Sequence, residues 1–117
     1  MRDHTKLRAF ELADALVLSV YRVTRGFPKE ELFGLTAQLR RAALSTASNI
    51  VEGCARHSKS DYVRFLDMAF GSAREVEYQI SVAHRLNYLS KQEYDPLHAQ
   101  CVETSKVLGA LIRSLRE

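Results

Sequence analysis

The stretch from Tyr62 to Ala83 constrains the fold most, because its apolar side chains recur at alternating spacings of four and three residues. These positions are Tyr62, Leu66, Ala69, Ala73, Val76, Ile80 and Ala83. The pattern predicts a long helix that packs lengthwise against other helices at a shallow angle. Three of the seven residues are alanines, so the backbones of neighbouring helices can approach closely along this seam.

Three further helical patterns account for the rest of the chain, and no alternating strand pattern is present. The first helix is predicted over about Thr5 to Arg25, and the second from a Thr36 cap to Gly53, read as a left-handed residue after the last turn. Ser58, with Asp61 three residues later, forms a capping-box pattern for the third helix. The start of the fourth stays open between two signals, Ser90 with Glu93 and Asp95 before Pro96.

The apolar faces of the other helices define the rest of the predicted core. In the first helix these residues are Phe10, Ala13, Leu16, Val17, Val20, Thr24 and Phe27. In the second they are Leu39, Ala43, Ala47 and Ile50. In the fourth they are Tyr94, Leu97, Cys101, Thr104, Leu108, Leu111 and Leu115.

Chain length and these patterns together predict an all-α protein, an antiparallel up-down-up-down four-helix bundle formed by residues 1–117 as a single domain. The charged N-terminus lacks the apolar core of a secretory signal, and no apolar run approaches the roughly 20 residues that span a bilayer. Cys54 and Cys101 form no disulfide-scaffold pattern. We therefore expect a cytoplasmic protein with no membrane partner.

The net charge of +3 is too small to indicate a nucleic-acid partner by itself, but its distribution is uneven. Residues 32–58 contribute +2, from Arg40, Arg41 and Arg56 against Glu52. Residues 59–90 and 91–117 each sum to zero. The positive surplus is therefore concentrated on the second helix and the loop that follows it.

One face of the second helix is unusually polar, with amide, guanidinium and hydroxyl groups that commonly bind phosphates or base edges. This face comprises Gln38, Arg41, Ser45, Ser48, Asn49 and Glu52. An ordinary solvated face explains the pattern equally well. As a nucleic-acid surface, the predicted contacts are Arg40, Arg41, Ser45, Asn49, Arg56 and Lys59.

Arg40 is the exception on this helix, because it projects towards the otherwise apolar side, where an unpaired charge is costly. We expect it to pair with an acidic residue of the third helix, Glu75 or Glu77, or with a neighbouring subunit.

Catalytic and metal-binding motifs are absent from the sequence. Cys54 and His57 have a spacing that suits zinc, but no second ligand pair accompanies them. There is no nucleophile elbow, phosphate-binding glycine loop or zinc-protease helix. We therefore predict no catalytic residue, no metal and no cofactor, and a protein that is not an enzyme.

A second apolar group on the third helix, opposite the main seam, predicts a subunit contact. The interface residues are Met68, Gly71, Tyr78, Val82 and Leu86, with Leu89 in the same group. Gly71 would allow close approach there. The alternative is that Leu86 and Leu89 only cover the end of the bundle.

Several motifs resemble a known family over nearly the whole chain. They are Leu35-Thr36-x-Gln38-Leu39-Arg40-Arg41-Ala42-Ala43-x-Ser45, Asn49-Ile50-x-Glu52-Gly53, Arg64-Phe65-Leu66 and Gly71-Ser72. They are similar to the signature of the four-helix-bundle proteins encoded in rRNA intervening sequences. The resemblance implies a ring, specifically a homopentamer, without known catalysis. The fold is also similar to the accessory variability protein of retroelements, which implies RNA or DNA and a reverse transcriptase or another protein as partners.

Two functional hypotheses follow. In the first, the oligomer multiplies the modest charge of each subunit into a basic surface for structured RNA or DNA. In the second, the oligomer is a protein-interaction scaffold, and the polar face of the second helix is a subunit or partner contact.

Overall fold

Four α-helices make up most of the chain: α1 (Arg8–Thr24), α2 (Leu35–Cys54), α3 (Lys59–Arg85) and α4 (Lys91–Arg116). Short 3-10 turns precede α1 at His4–Lys6 and α2 at Lys29–Glu31. The computed structural model describes residues 2–117, and within that range there is no β-strand. The all-α prediction is therefore confirmed.

The heptad seam of α3 forms the centre of one hydrophobic core that all four helices share. Every one of its seven predicted positions is at most 3 % exposed. In α4 the predicted seam holds from Leu97 to Leu108, but the last buried position is Ile112 rather than Leu111. A helix with 3.6 residues per turn drifts out of a strict seven-residue repeat, which accounts for this one-residue change.

The first predicted boundary is three residues early, because Asp3 organises a separate turn before α1. Its carboxylate accepts a hydrogen bond from the backbone N–H of Thr5 at 3.0 Å, and the chain at Leu7 is extended. α1 therefore begins at Arg8 rather than Thr5.

The predicted Thr36 cap of α2 is wrong, because the cap comes from the preceding turn. Thr36 is buried inside the helix, and the Glu31 carboxylate accepts a hydrogen bond from the Leu35 N–H at 3.1 Å. The other oxygen of Glu31 accepts a hydrogen bond from the Tyr88 hydroxyl at 2.9 Å. A side chain outside the helix thus satisfies an amide that would otherwise lack a partner.

Gly53 does not end α2 in a left-handed conformation, as the sequence pattern suggested. No glycine in residues 2–117 has a positive φ, and the helix continues to Cys54. A Cβ atom at Gly53 would lie 2.9 Å from the Cβ of Phe65 and 3.3 Å from the Tyr62 carbonyl oxygen. The glycine is therefore needed for the close approach of α2 and α3.

The α3 and α4 helices begin at their predicted serine caps. Ser58 Oγ accepts from the Asp61 N–H at 3.0 Å. At α4 the full capping box is present, since Ser90 and Glu93 each accept a hydrogen bond from the other's backbone N–H. The structure thereby selects the Ser90 start and leaves Pro96 within the helix.

α2 and α3 form the most extensive helix pair, followed by α3 with α4. No helix in the described part of the chain is long and apolar enough to cross a membrane.

Candidate nucleic-acid interface

Arg40 does not contact an acidic residue of α3, so that expectation is wrong within the chain. Its Nε donates to the Thr24 hydroxyl at 2.8 Å, and the guanidinium lies 4.7 Å from the ring centroid of Tyr21. Both partners belong to α1. A hydrogen bond and a cation–π contact thus hold the half-buried side chain without a counter-ion.

Ser45 and Asn49, two predicted contacts, turn towards α3. The hydroxyls of Ser45 and Ser72 lie 2.9 Å apart, and the Asn49 amide donates to both the carbonyl and the hydroxyl oxygen of Ser45. These groups form a polar contact between the two helices. The polar face of α2 is therefore partly an internal helix–helix surface.

Arg41 remains exposed at the edge of a small groove between α2 and α3. The groove has a volume of about 330 Å³, and its other polar side chains are Gln38, Ser45, Ser72, Glu75 and Gln79. No ion pair within residues 2–117 involves Arg41 or Glu75, although both line this groove. Of the predicted contacts on α2 itself, only Arg41 offers a guanidinium that no hydrogen bond or ion pair engages.

Arg56 and Lys59 lie at the other end of α2, where α3 begins. The length of helix between Arg41 and Cys54 is about 20 Å at 1.5 Å per residue. The predicted continuous basic surface is therefore divided within one chain into Arg41 on the helix face and a separate group at this end.

The structure adds two arginines to that group. Arg2 donates from its backbone N–H to the Cys54 carbonyl at 2.8 Å, and from its guanidinium to the Arg56 carbonyl at 3.1 Å. Arg64 lies on the first turns of α3, close to Arg56. We call Arg2, Arg56, Lys59 and Arg64 the basic end.

Aromatic rings orient three of these four side chains. The Arg2 guanidinium lies over the Tyr62 ring at 4.0 Å, and those of Arg56 and Arg64 each lie 4.7 Å from the Phe65 centroid. Tyr62 and Phe65 are themselves buried in the α2–α3 packing. The guanidiniums are thus held on fixed platforms, which lowers the entropy that binding a phosphate would cost.

Two carboxylates lie near the basic end, and both form weak ion pairs. Glu52 is 3.5 Å from Arg56 and Asp61 is 3.8 Å from Arg64, with all four side chains at least 43 % exposed. Pairs of this kind contribute roughly 0–1 kcal/mol in water, so they can exchange for contacts with a ligand. With Asp3 also close by, the four cations leave a surplus of one positive charge per chain.

Sequence reasoning missed Arg2 and treated Arg64 as neutralised by nearby acids. Arg2 is 54 residues from Arg56, and no local pattern connects the two positions. Arg64 carried a weak signal, because Arg64-Phe65 follows Arg56 by two helical turns. Contact between the chain start and the end of α2 is a property of the tertiary structure.

The candidate zinc ligands do not converge. Cys54 is buried and His57 is exposed, and the described residues contain no group of three or more metal-ligating side chains. Burial raises the pKa of the Cys54 thiol, although a contact with the Tyr62 hydroxyl partly opposes this. A thiol with a raised pKa is a poor nucleophile at neutral pH.

The predicted oligomer-interface residues lie on the outer face of α3. Tyr78, Leu86 and Met68 are 66 %, 51 % and 41 % exposed, Gly71 is exposed and Val82 is half-buried. Leu89 differs, because it is 2 % exposed and belongs to the core. It covers the end of the helices, as the alternative interpretation held, whereas Leu86 does not.

A crystal structure with the same fold is known from Bacteroides thetaiotaomicron, described as a protein of unknown function from the S23 ribosomal protein family. The two chains superpose with a TM-score of 0.83 at 22 % identity, covering 90 % of this chain and 95 % of the other. Identity at this level shows the shared fold alone. No curated protein matches the sequence.

The four helices and their common core define a small all-α protein whose polar groups cluster on α2 and at the basic end. The profile of the 23S rRNA-intervening sequence protein family matches residues 5–110. The chain belongs to this family, as the α2–α3 motifs indicated.

Proposed function

We propose that this chain is a non-catalytic nucleic-acid-binding protein, an antiparallel up-down-up-down bundle that assembles as a homo-oligomeric ring. The proposed ligand is structured RNA or duplex DNA, bound through its phosphate backbone. The basic end provides the main contacts, and Arg41 provides a second, separate contact.

The observation that carries the proposal is the arrangement of guanidiniums at the basic end. Three arginines are held over buried aromatic rings with their outer nitrogens directed away from the core. Arginine binds phosphate oxygens in this planar geometry, and its positions here depend on packing rather than on strong ion pairs. Lys59 extends the same surface.

Oligomerisation makes a small surplus of charge sufficient. One chain presents few phosphate contacts, which supports only weak non-specific binding. A ring repeats the basic end once per subunit, so several contacts form together and avidity raises the affinity.

Fluorescence anisotropy with labelled RNA and labelled duplex DNA tests the proposal. The test variant combines Arg56→Gln, Lys59→Gln and Arg64→Gln. The matched control removes the same charge where α1 ends, with Arg22→Gln, Arg25→Gln and Lys29→Gln, all exposed. We expect wild-type binding to weaken steeply between roughly 50 and 200 mM salt, and the test variant to bind about tenfold or more weakly than the control.

Equal losses in the two triple variants would contradict a role for the basic end, because net charge alone would then explain binding. An intact oligomer that binds neither ligand at low salt would contradict the nucleic-acid function. Arg41→Gln, measured alongside, reports whether the face of α2 contributes independently.

The second candidate function is a protein-interaction scaffold, which the exposed apolar side chains of α1, α2 and α3 favour. Salt dependence separates the two. A scaffold that uses apolar contacts retains its partner at high salt, whereas binding to phosphates is lost.

A further inference from the structure

Exposed large apolar side chains concentrate on two faces of the molecule. Five lie along α1, the following turn and α2; three lie on α3; Val102 stands alone on α4. The first five are Leu18, Leu32, Phe33, Leu44 and Val51, and the three on α3 are Met68, Tyr78 and Leu86. Scattered apolar residues are normal on a protein surface, but two contiguous groups indicate contact surfaces.

The first group borders an open groove of about 660 Å³ between α1 and α2. Tyr21, Leu32, Ala37 and Leu44 contribute apolar lining, and Phe33, which is 93 % exposed, stands at its edge. Arg41 lines the same groove on the side nearest α3. We call this surface the groove face.

The second group forms a stripe on α3. Met68, Gly71, Tyr78, Val82 and Leu86 fall on one side of the helix because they are separated by three, four or seven residues. A Cβ atom at Gly71 would meet nothing within 4 Å, so the stripe is flat at its centre. We call this surface the α3 outer face.

We propose that the groove face of one copy binds the α3 outer face of a second copy. A helix that lays an apolar stripe into a groove is a common mode of association. Charge favours this pairing, because exposed Glu75 lies on the stripe between Gly71 and Tyr78 and Arg41 lies at the groove edge. Neither residue forms an ion pair within the described chain.

The two faces are unlike, so the contact is head-to-tail. Each bound copy still presents one free groove face and one free α3 outer face, and assembly continues until the two ends meet in a ring. This inference rests on the self-association in the proposed function, and it identifies both surfaces that self-association would use.

Two single variants and a control test the pairing. Leu44→Glu places a charge in the groove face and Tyr78→Glu places one on the α3 outer face. Val102→Glu is the matched control, since Val102 is 44 % exposed and Leu44 is 43 % exposed. Light scattering should give the 13.3 kDa mass of one chain for the first two variants and the wild-type mass for the control. Circular dichroism verifies that all three remain helical.

Mixing the two monomeric variants distinguishes this pairing from other contacts. The intact groove face of Tyr78→Glu can accept the intact α3 outer face of Leu44→Glu, but both remaining faces are blocked. We therefore expect a one-to-one complex of twice the chain mass and no larger species, at several protein concentrations.

A mixture that stays monomeric would overturn the proposal. So would dimers of Tyr78→Glu alone, which indicate groove-to-groove contact, or dissociation of Val102→Glu. A monomeric wild-type protein would contradict both this inference and the oligomeric part of the proposed function. Nucleic-acid binding is judged independently, by anisotropy.

Discussion

Single residues in this protein take their roles from neighbours on other helices. Arg40 and Arg41 are adjacent in sequence, yet Arg40 is fixed by Thr24 and Tyr21 of α1, whereas Arg41 is exposed. Gly53 and Gly71 are both helical glycines, yet only Gly53 lies against a neighbouring helix. Residue type alone distinguishes neither pair.

These two glycines provide a residue-scale prediction. Gly53→Ala should lower the free energy of unfolding by about 1–3 kcal/mol, because its methyl group would overlap Phe65 and Tyr62. Gly71→Ala should raise it by up to about 1 kcal/mol through helix propensity. Both are measured by urea unfolding in the Tyr78→Glu background, which removes the proposed subunit contact. Equal stabilisation by the two substitutions would show that α2 and α3 are not closely packed at Gly53.

Helix boundaries show how far local signals reach at the scale of elements. Ser58 and Ser90 cap their helices as the sequence pattern predicts, because a cap and its target amide lie within four residues. α2 instead depends on Glu31, whose carboxylate is also held by Tyr88 from the α3–α4 turn. This cap requires a contact that spans 57 residues.

The two candidate starts of α4 differ in their predicted energies. Ser90→Ala removes the capping box and should lower the free energy of unfolding by about 1 kcal/mol. Asp95→Ala removes only an exposed contact with Lys91 and should change it by less than about 0.5 kcal/mol. Chemical unfolding followed by circular dichroism measures both. A larger loss from Asp95→Ala would place the true helix start near Pro96.

At the scale of the whole molecule, one core buries titratable groups from several helices. Burial raises the pKa of Cys101 to about 12 from an ordinary 9.0, with Glu77 adding to the shift. Burial, followed by the proximity of Cys54, raises the pKa of Tyr62 to about 12 from an ordinary 10.0. In both cases the folded state retains a proton that the unfolded chain releases.

Stability should therefore decrease at alkaline pH. Below about pH 9 both states hold these protons, and the full stability is present. From pH 9 towards 12 the unfolded state ionises first, so the free energy of unfolding falls by up to about 1.4 kcal/mol per pH unit for each group. Urea unfolding in reductant at pH 8 and above tests this. Cys101→Ala should be less stable at pH 8 but lose stability less steeply, and an unchanged slope would exclude Cys101 as a cause.

Much of the candidate site was predictable from sequence, though not its arrangement. Arg41, Arg56 and Lys59 lie near the surface as expected from their charge, whereas Ser45 and Asn49 turn into the α2–α3 contact. The α3 stripe was evident from its spacing. The groove face was not, because its residues come from α1, a turn and α2, and no single periodic pattern includes them.

The sequence by itself determined the four helices, the buried seam of α3 and the family, because periodicity and capping act within a few residues of chain. Only the tertiary structure decided which polar side chains stay free. Arg40 is held by α1, Arg2 joins Arg56 across 54 residues, and Gly53 admits α3. These contacts depend on the relative placement of whole helices, which many distant packing interactions set together and no local pattern encodes.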